Sequence, residues 1–230
     1  MTDTTRAGLD RVEAPADPCL VAGTVPYAWP WDGALAGRRV ALVLPGNDPG
    51  WRRAAPLDDA AAHRLALAVA AVRAAGGLVV HVSHPPAPSR VLPATPARRA
   101  DGSSSGTDAW SGPRDERDPC VSAAGLDGFY GSPLDALLRA HGRDQLVLAG
   151  WGLEGPVHST LRSANDQGYE CLLLTDAVSV ITPATHQPAL SIVTMSGGIF
   201  GALGATDALC AALASLESST SHSTPSSAQP

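Results

Sequence analysis

The side chains that could supply a base or a nucleophile are few. All 16 basic residues are arginine, so no step that needs an amine or an ammonium group from lysine is open to this chain. His81 and His84 form a His-x-x-His pair at the end of an apolar run, a spacing that can hold a metal ion. No acidic companion stands in that segment, so a solvated or hydrogen-bonded pair is expected and no metal. Asp48 could act as a base, but an aspartate just ahead of Pro49 more commonly caps a turn. His158, Ser159 and Thr160 are consecutive. On a helix, side chains meet at i+3 and i+4, so His158 is poorly placed to activate Ser159.

The four cysteines show neither a CxxC pair nor the density of a disulfide framework and read as free thiols. Cys171 lies in the apolar segment ECLLLTD and reads as core, while Cys120 has no base in view. No catalytic cysteine is assigned.

The elements that would position these groups alternate. Val40 to Leu44 is a short apolar run of the kind buried on both faces of a sheet. Leu57 to Ala75 has helical periodicity, acidic residues at its start and Gly76-Gly77 at its end. Leu78 to Val82 is a second strand, Gln145 to Ala149 a third and Glu170 to Leu174 a fourth, with a short strand near Ile199 to Leu203. Helices are expected from Ser132-Pro133 to His141, from Pro156 to Gln167, from Pro183 to Met195, and after Thr206 as a cap. This alternation predicts a three-layer α/β/α sandwich around a mainly parallel, doubly wound sheet.

Residues 1–37 read as an extended segment wrapped on the domain, with Pro26 to Gly33 rich in proline and tryptophan. The domain spans 38–216 with a variable insertion at 85–120, and 217–230 is a Ser- and Thr-rich tail expected to be disordered. A net charge of -6 without a basic stripe argues against nucleic acid. No apolar run reaches membrane-spanning length and no signal peptide is evident, so a cytoplasmic protein is expected.

PYAWPWDGAL with ALVL, FYGSPLDALLRAHG, and above all STLRSANDQGYECLLLTDA continued by THQPALSIVTMSGGIFGAL resemble the isochorismatase-like cysteine hydrolases. Within that family the biuret and ureido-amide branch is the nearest in pattern. The resemblance implies the fold just described and a mechanism in which a cysteine attacks a carbonyl, an aspartate carries its proton and a lysine balances charge. It places Pro45 at the aspartate, Ala123 at the lysine and Pro156 at the cysteine, so all three roles are empty. In the family the cysteine's backbone amide also helps hold the oxyanion. Proline has no N–H, and losing one such donor costs about 100- to 1000-fold in rate.

The same alignment puts Asn47, Trp151, Gly152, Glu154 and Ser196 around the pocket. Trp151 replaces a smaller aliphatic residue and should narrow it, Glu154 stands in for an aspartate that bonds the loop, and Ser196 replaces a glutamine of MQGG. The expectation is a pseudoenzyme that binds a small amide or ureide or partners an active paralogue, as a homo- or hetero-oligomer and without a cofactor. The alternative is a C–N hydrolase using relocated residues such as Asp48, His81 or His158.

Overall fold

Val40–Leu44 (β3) is buried at every position because it is the centre of the sheet. The computed structural model describes residues 19–20, 22–23, 34–36, 39–84 and 115–221. β3 is flanked by Leu78–Ser83 (β4) and Gln145–Gly150 (β6), with Cys120–Ser122 (β5) outside β4 and Glu170–Val178 (β7) and Ala202–Gly204 (β8) beyond β6. The order is β5-β4-β3-β6-β7-β8 and every pairing is parallel. The chain winds outward from β3 in one direction, returns to its other side at β6 and winds outward again. Open sheets of this kind place their ligands at that reversal, beyond the carboxyl ends of the strands.

Alternation along β3 separates two cores. Val40, Leu42 and Leu44 face Leu65, Val69 and Val72 of Asp59–Ala74 (α2) and Leu209 and Leu213 of Thr206–Ser221 (α7). Ala41 and Val43 face Leu134 and Leu138 of Leu134–Ala140 (α3) and Leu161 and Ala164 of His158–Asp166 (α4). A period of two thus feeds helices on both faces, which completes the expected three layers.

Several boundaries differ from the sequence expectation. Pro49–Ala54 forms a short helix (α1), capped by Asp48, which accepts from the backbone of Gly50 and Trp51. Pro49 suits its start, but six residues are too few to show a period. β5 lies where the insertion was expected to end, and of its three residues Val121 alone is buried. Residues 85–114 of that insertion lie outside the described residues, as do Pro26 to Gly33. Near the start, Cys19–Leu20 (β1) pairs antiparallel with Ala34–Leu35 (β2). The Gln145 amide fastens β2 to the sheet, accepting from Ala36 N at 2.8 Å and donating to Ala34 O at 2.9 Å.

The helix expected from Pro156 is two pieces, a π-helical turn over Leu153–Val157 and then α4. Pro156 lies inside the turn, not at a helix start. Having no N–H, it cannot bond Gly152 O four residues back; Val157 N takes that carbonyl at 3.3 Å instead, a five-residue step. β7 continues through Thr175-Asp176-Ala177 to Val178. The segment expected as one helix from Pro183 to Met195 divides into a 3-10 turn Pro183–Thr185, a helix His186–Val193 (α5) and a four-residue helix Met195–Gly198 (α6). α7 runs to Ser221, into the segment expected as a disordered tail. Among the described residues no helix is long and apolar enough to cross a membrane.

Candidate functional site at the sheet reversal

The ends of β3 and β6 meet backbone to backbone. Trp151 N donates to Pro45 O at 3.1 Å. A Cβ on Gly46 would stand 2.4 Å from Trp151 O, and one on Gly150 would stand 2.7 Å from Pro45 O. Both glycines have positive φ, +74° and +122°. Chain crossing of this closeness requires residues without a Cβ.

Two indoles occupy the space above these strand ends. Trp51, carried by α1, lays its ring on Gly152 and Gly155, where an added Cβ would stand 2.6 Å and 2.9 Å from ring carbons. Trp51 is 2% exposed and Trp151 1%. The Arg52 guanidinium sits over the Trp151 ring, 5.2 Å from its centroid.

A polar chain borders the indoles. Asn47 Oδ1 accepts from Arg52 Nε at 3.0 Å and from Arg52 Nη2. That fixes the amide so that Nδ2 donates to His81 Nδ1. His81 therefore carries its proton on Nε2, which faces Asp118 Oδ2 at 3.4 Å, and Asp118 is paired in turn with Arg73. Asn47 and His81 act as struts between α1, β4 and the segment before β5.

Asp48 is equally committed. Its Oδ1 accepts from Gly50 N at 2.9 Å and Trp51 N at 3.1 Å, and its Oδ2 from His84 N at 3.1 Å. His84 turns away from His81: its Nδ1 lies 2.7 Å from Gly125 O. The two histidines do not converge, and among the described residues no group of three or more His, Cys, Asp or Glu side chains could hold a metal.

Of the three positions at which the family's catalytic side chains were aligned, Pro45 follows β3, Ala123 follows β5 and Pro156 sits in the π-helical turn after β6. All three are buried. Ala123 N continues the ladder to Ser83 O at 2.9 Å. Pro156 O accepts from Thr160 Oγ1 at 2.7 Å, and the same hydroxyl accepts from Gly128 N at 2.8 Å, which pins the loop after β5 onto α4. Glu154 makes its expected loop hydrogen bonds, but to the following connection: it accepts from Ile181 N, Thr182 N and Thr185 Oγ1 at 2.9, 3.2 and 2.5 Å. Ser196 falls in α6, and its side chain lies outside the described residues.

His158 opens α4 half-buried, and no hydrogen bond joins it to Ser159. Cys171 is fully buried and burial drives its thiol pKa far up, as expected of a core thiol. Cys171 and Cys210 are in no disulfide. Sequence reasoning missed Trp51, Arg52 and Asp118 as parts of this region, and noted Thr160 without its role in joining Pro156 to Gly128. Only the Trp-Arg pair gave a signal, and α1 was too short to interpret it.

Burial holds the His84 ring below its ordinary pKa of 6.5, against the Gly125 carbonyl and the Asp48 and Asp127 carboxylates, which act the other way. His158 is lowered by burial first and by the Arg162 charge second. As pH falls the unfolded chain therefore takes up these protons before the folded one. Stability is full above about pH 6.5 and declines as pH falls from there toward the depressed folded values. The urea midpoint is expected to drop between about pH 7.5 and about pH 5.5, and His84→Asn, which keeps a donor for Gly125, should flatten that slope. An unchanged slope in the variant would assign the dependence elsewhere.

A family model described as the Isochorismatase domain matches residues 41–203. Over 65 residues the chain is 37% identical to an uncharacterized isochorismatase family protein, YwoC, of Bacillus subtilis (strain 168); that stretch is 28% of this chain and 34% of the relative. The chain thus matches only about a third of that curated relative's length. An isochorismatase family protein from Burkholderia thailandensis superposes with a TM-score of 0.60 at 23% identity, over 77% of this chain and 96% of the other. A cysteine hydrolase from Pseudomonas syringae pv. phaseolicola 1448A gives 0.61 at 18% identity, over 87% and 99%. Identities this low establish likeness of fold.

Proposed function

Because this chain belongs to the isochorismatase family, we propose that it is a member without cysteine-hydrolase catalysis, kept for binding a small amide or ureide. The biuret and ureido-amide branch is its nearest kin in this reading. The observation that carries it is Pro156. The residue aligned with the nucleophile has neither a thiol nor an N–H, and its ring lies in a turn whose hydrogen bonding has slipped around it. Pro45 and Ala123 offer no base or cation at the neighbouring strand ends. The Trp51 ring packs on Gly152 and Gly155 of the turn that holds Pro156, and both Trp51 and Trp151 are buried there. Partnership with an active paralogue, or assembly with further copies of itself, is compatible with the same loss.

A second reading, hydrolysis of a C–N bond by relocated residues, narrows to one group. Asp48 and His81 are committed to structural hydrogen bonds, whereas His158 Nε2 is buried without a partner among the described residues. Purified protein incubated with biuret, ureido acids or nicotinamide is expected to release no ammonia above a heat-denatured control. Release that disappears in His158→Ala would overturn the non-catalytic reading.

A further inference from the structure

Five large apolar side chains stand exposed among the described residues, and three of them lie on one short segment: Ile192 at 39%, Met195 at 47% and Ile199 at 50%. α5 and α6 carry the segment, and its helical path continues to Ile199, since Gly198 N donates to Thr194 O at 2.9 Å and Ile199 N to Met195 O at 3.2 Å. Pro188, four residues before Ile192, is exposed as well. At about 100° per residue these four positions fall within roughly 60° of one another. Ala189, Leu190 and Val193 take the opposite side and are buried. A surface helix ordinarily turns a polar side to water, and this one turns a second apolar stripe.

The segment is also free of charge. From Ala177 to Thr206 there is no Asp, Glu, Arg or Lys, whereas α1, α2, α3, α4 and α7 each carry charged side chains. Single apolar side chains on a surface are ordinary, but a stripe of them in an uncharged setting has the composition of an interface core. Charge decides the occupant too. Across a two-fold axis a residue near the axis meets its own copy, so a charged side chain there would face like charge. A different partner could match a charged face with the opposite sign. A second copy of this chain, each at a net charge of -6, cannot, and α5 with α6 is the helical surface where that conflict does not arise. The chain's own end does not answer for the stripe, because residues 222–230 contain no Val, Leu, Ile, Met, Phe, Tyr or Trp. The face is set in advance: Glu154, in the turn that holds Pro156, accepts from Ile181 N, Thr182 N and Thr185 Oγ1 just ahead of α5. A face held this way loses little further freedom on association.

We infer that the stripe of Ile192, Met195 and Ile199 is the centre of a two-fold interface between two copies of this chain, the α5 and α6 segment of one lying against that of the other. A stable interface takes about 800 Å² from each partner, more than three side chains supply, so uncharged neighbours such as Pro188 and Ser191 join it. The inference gives a surface to the assembly with further copies named above, and it holds whether or not the site turns a substrate over.

The test is sedimentation velocity on the full chain at micromolar concentration, where the parent is expected at twice the 23.4 kDa of one chain. Ile192→Glu and Met195→Glu each set a carboxylate in the stripe close to its own copy. Each should raise the dissociation constant of the dimer by at least about 100-fold, the effect of like charges brought together in an interface. Leu67→Glu is the control, because Leu67 on α2 is as exposed as Ile192, at 39%, and lies outside the stripe. It should leave the dimer intact, with circular dichroism and thermal melting confirming that all three variants fold. A parent that stays monomeric overturns the inference and gives the stripe to another occupant. A dimer that survives both glutamate variants overturns it as well, since another face then holds the copies together, and so does a dimer lost equally in Leu67→Glu. Ammonia release by the parent from the amides named above would sink the non-catalytic reading and leave the interface standing, so the two failures are distinguishable.

Discussion

Trp51→Ala is expected to lower the stability of the fold by about 3 to 5 kcal/mol, the range for truncating a buried large aromatic side chain. The indole is 2% exposed and rests on Gly152 and Gly155. Those glycines have no side chains that could swing in, and their backbone is held by the π-helical turn and by Leu153 N donating to Ser179 O at 2.7 Å. The cavity should therefore persist. Relief of the unmatched Nε1–H works the other way and places the expected loss toward the lower end. For a chain of this size the melting temperature should fall by roughly 10 °C. Trp51→Phe, which fills most of the same space, should cost far less. Urea denaturation of the three proteins checks this, and an alanine variant within about 1 kcal/mol of the parent would mean that the indole is not a packed part of the site.

Gly46→Ala should be comparably damaging for a different reason. Its φ of +74° is a left-handed conformation, which costs a residue with a Cβ about 1 to 2 kcal/mol. The new methyl would also stand 2.4 Å from the carbonyl oxygen of Trp151, a backbone atom that cannot rotate aside. The ends of β3 and β6 would have to part, with loss of the Trp151 N to Pro45 O hydrogen bond. The combined expectation is about 3 kcal/mol or more, among the larger single-residue effects. Gly142→Ala is the control, because Gly142 has a similar φ of +62° and nothing within 4 Å of its added Cβ. It should show the conformational cost alone, and equal losses in the two variants would remove the close crossing from the account.

What could be read from the sequence follows from how far each signal extends. The runs at Val40, Leu78 and Gln145 become parallel strands because four to six consecutive buried residues suit a sheet covered on both faces. The winding of the sheet then follows from the helices between them. The resemblance singled out Pro156 as a candidate loss of the nucleophile, but its place in a π-helical turn was not legible, since that depends on Val157 reaching back to Gly152 O. Trp151 could be flagged from a resemblance. Trp51 could not, because its role comes from two glycines a hundred residues later in the chain. Asp48 was correctly expected as a cap, yet its second bond, to His84 N, joins residues 36 apart and left no local trace. His81 and His84 looked like a pair, and different partners separate them.

The placement of β3 bears on how the chain reaches this state. Its two neighbours are β4, which follows after the two helices α1 and α2, and β6, whose Gln145 pairs with Val40 across more than a hundred residues. While the chain is being synthesised, the first half holds a central strand with one side of its backbone unsatisfied. Sheets assembled from such distant pairings fold slowly, because loop closure must precede the contacts that reward it. The emerging chain therefore carries an apolar, open-edged strand until β6 has left the ribosome, which makes the first half a natural client for chaperones. A fragment ending before Gln145 should fail to fold on its own.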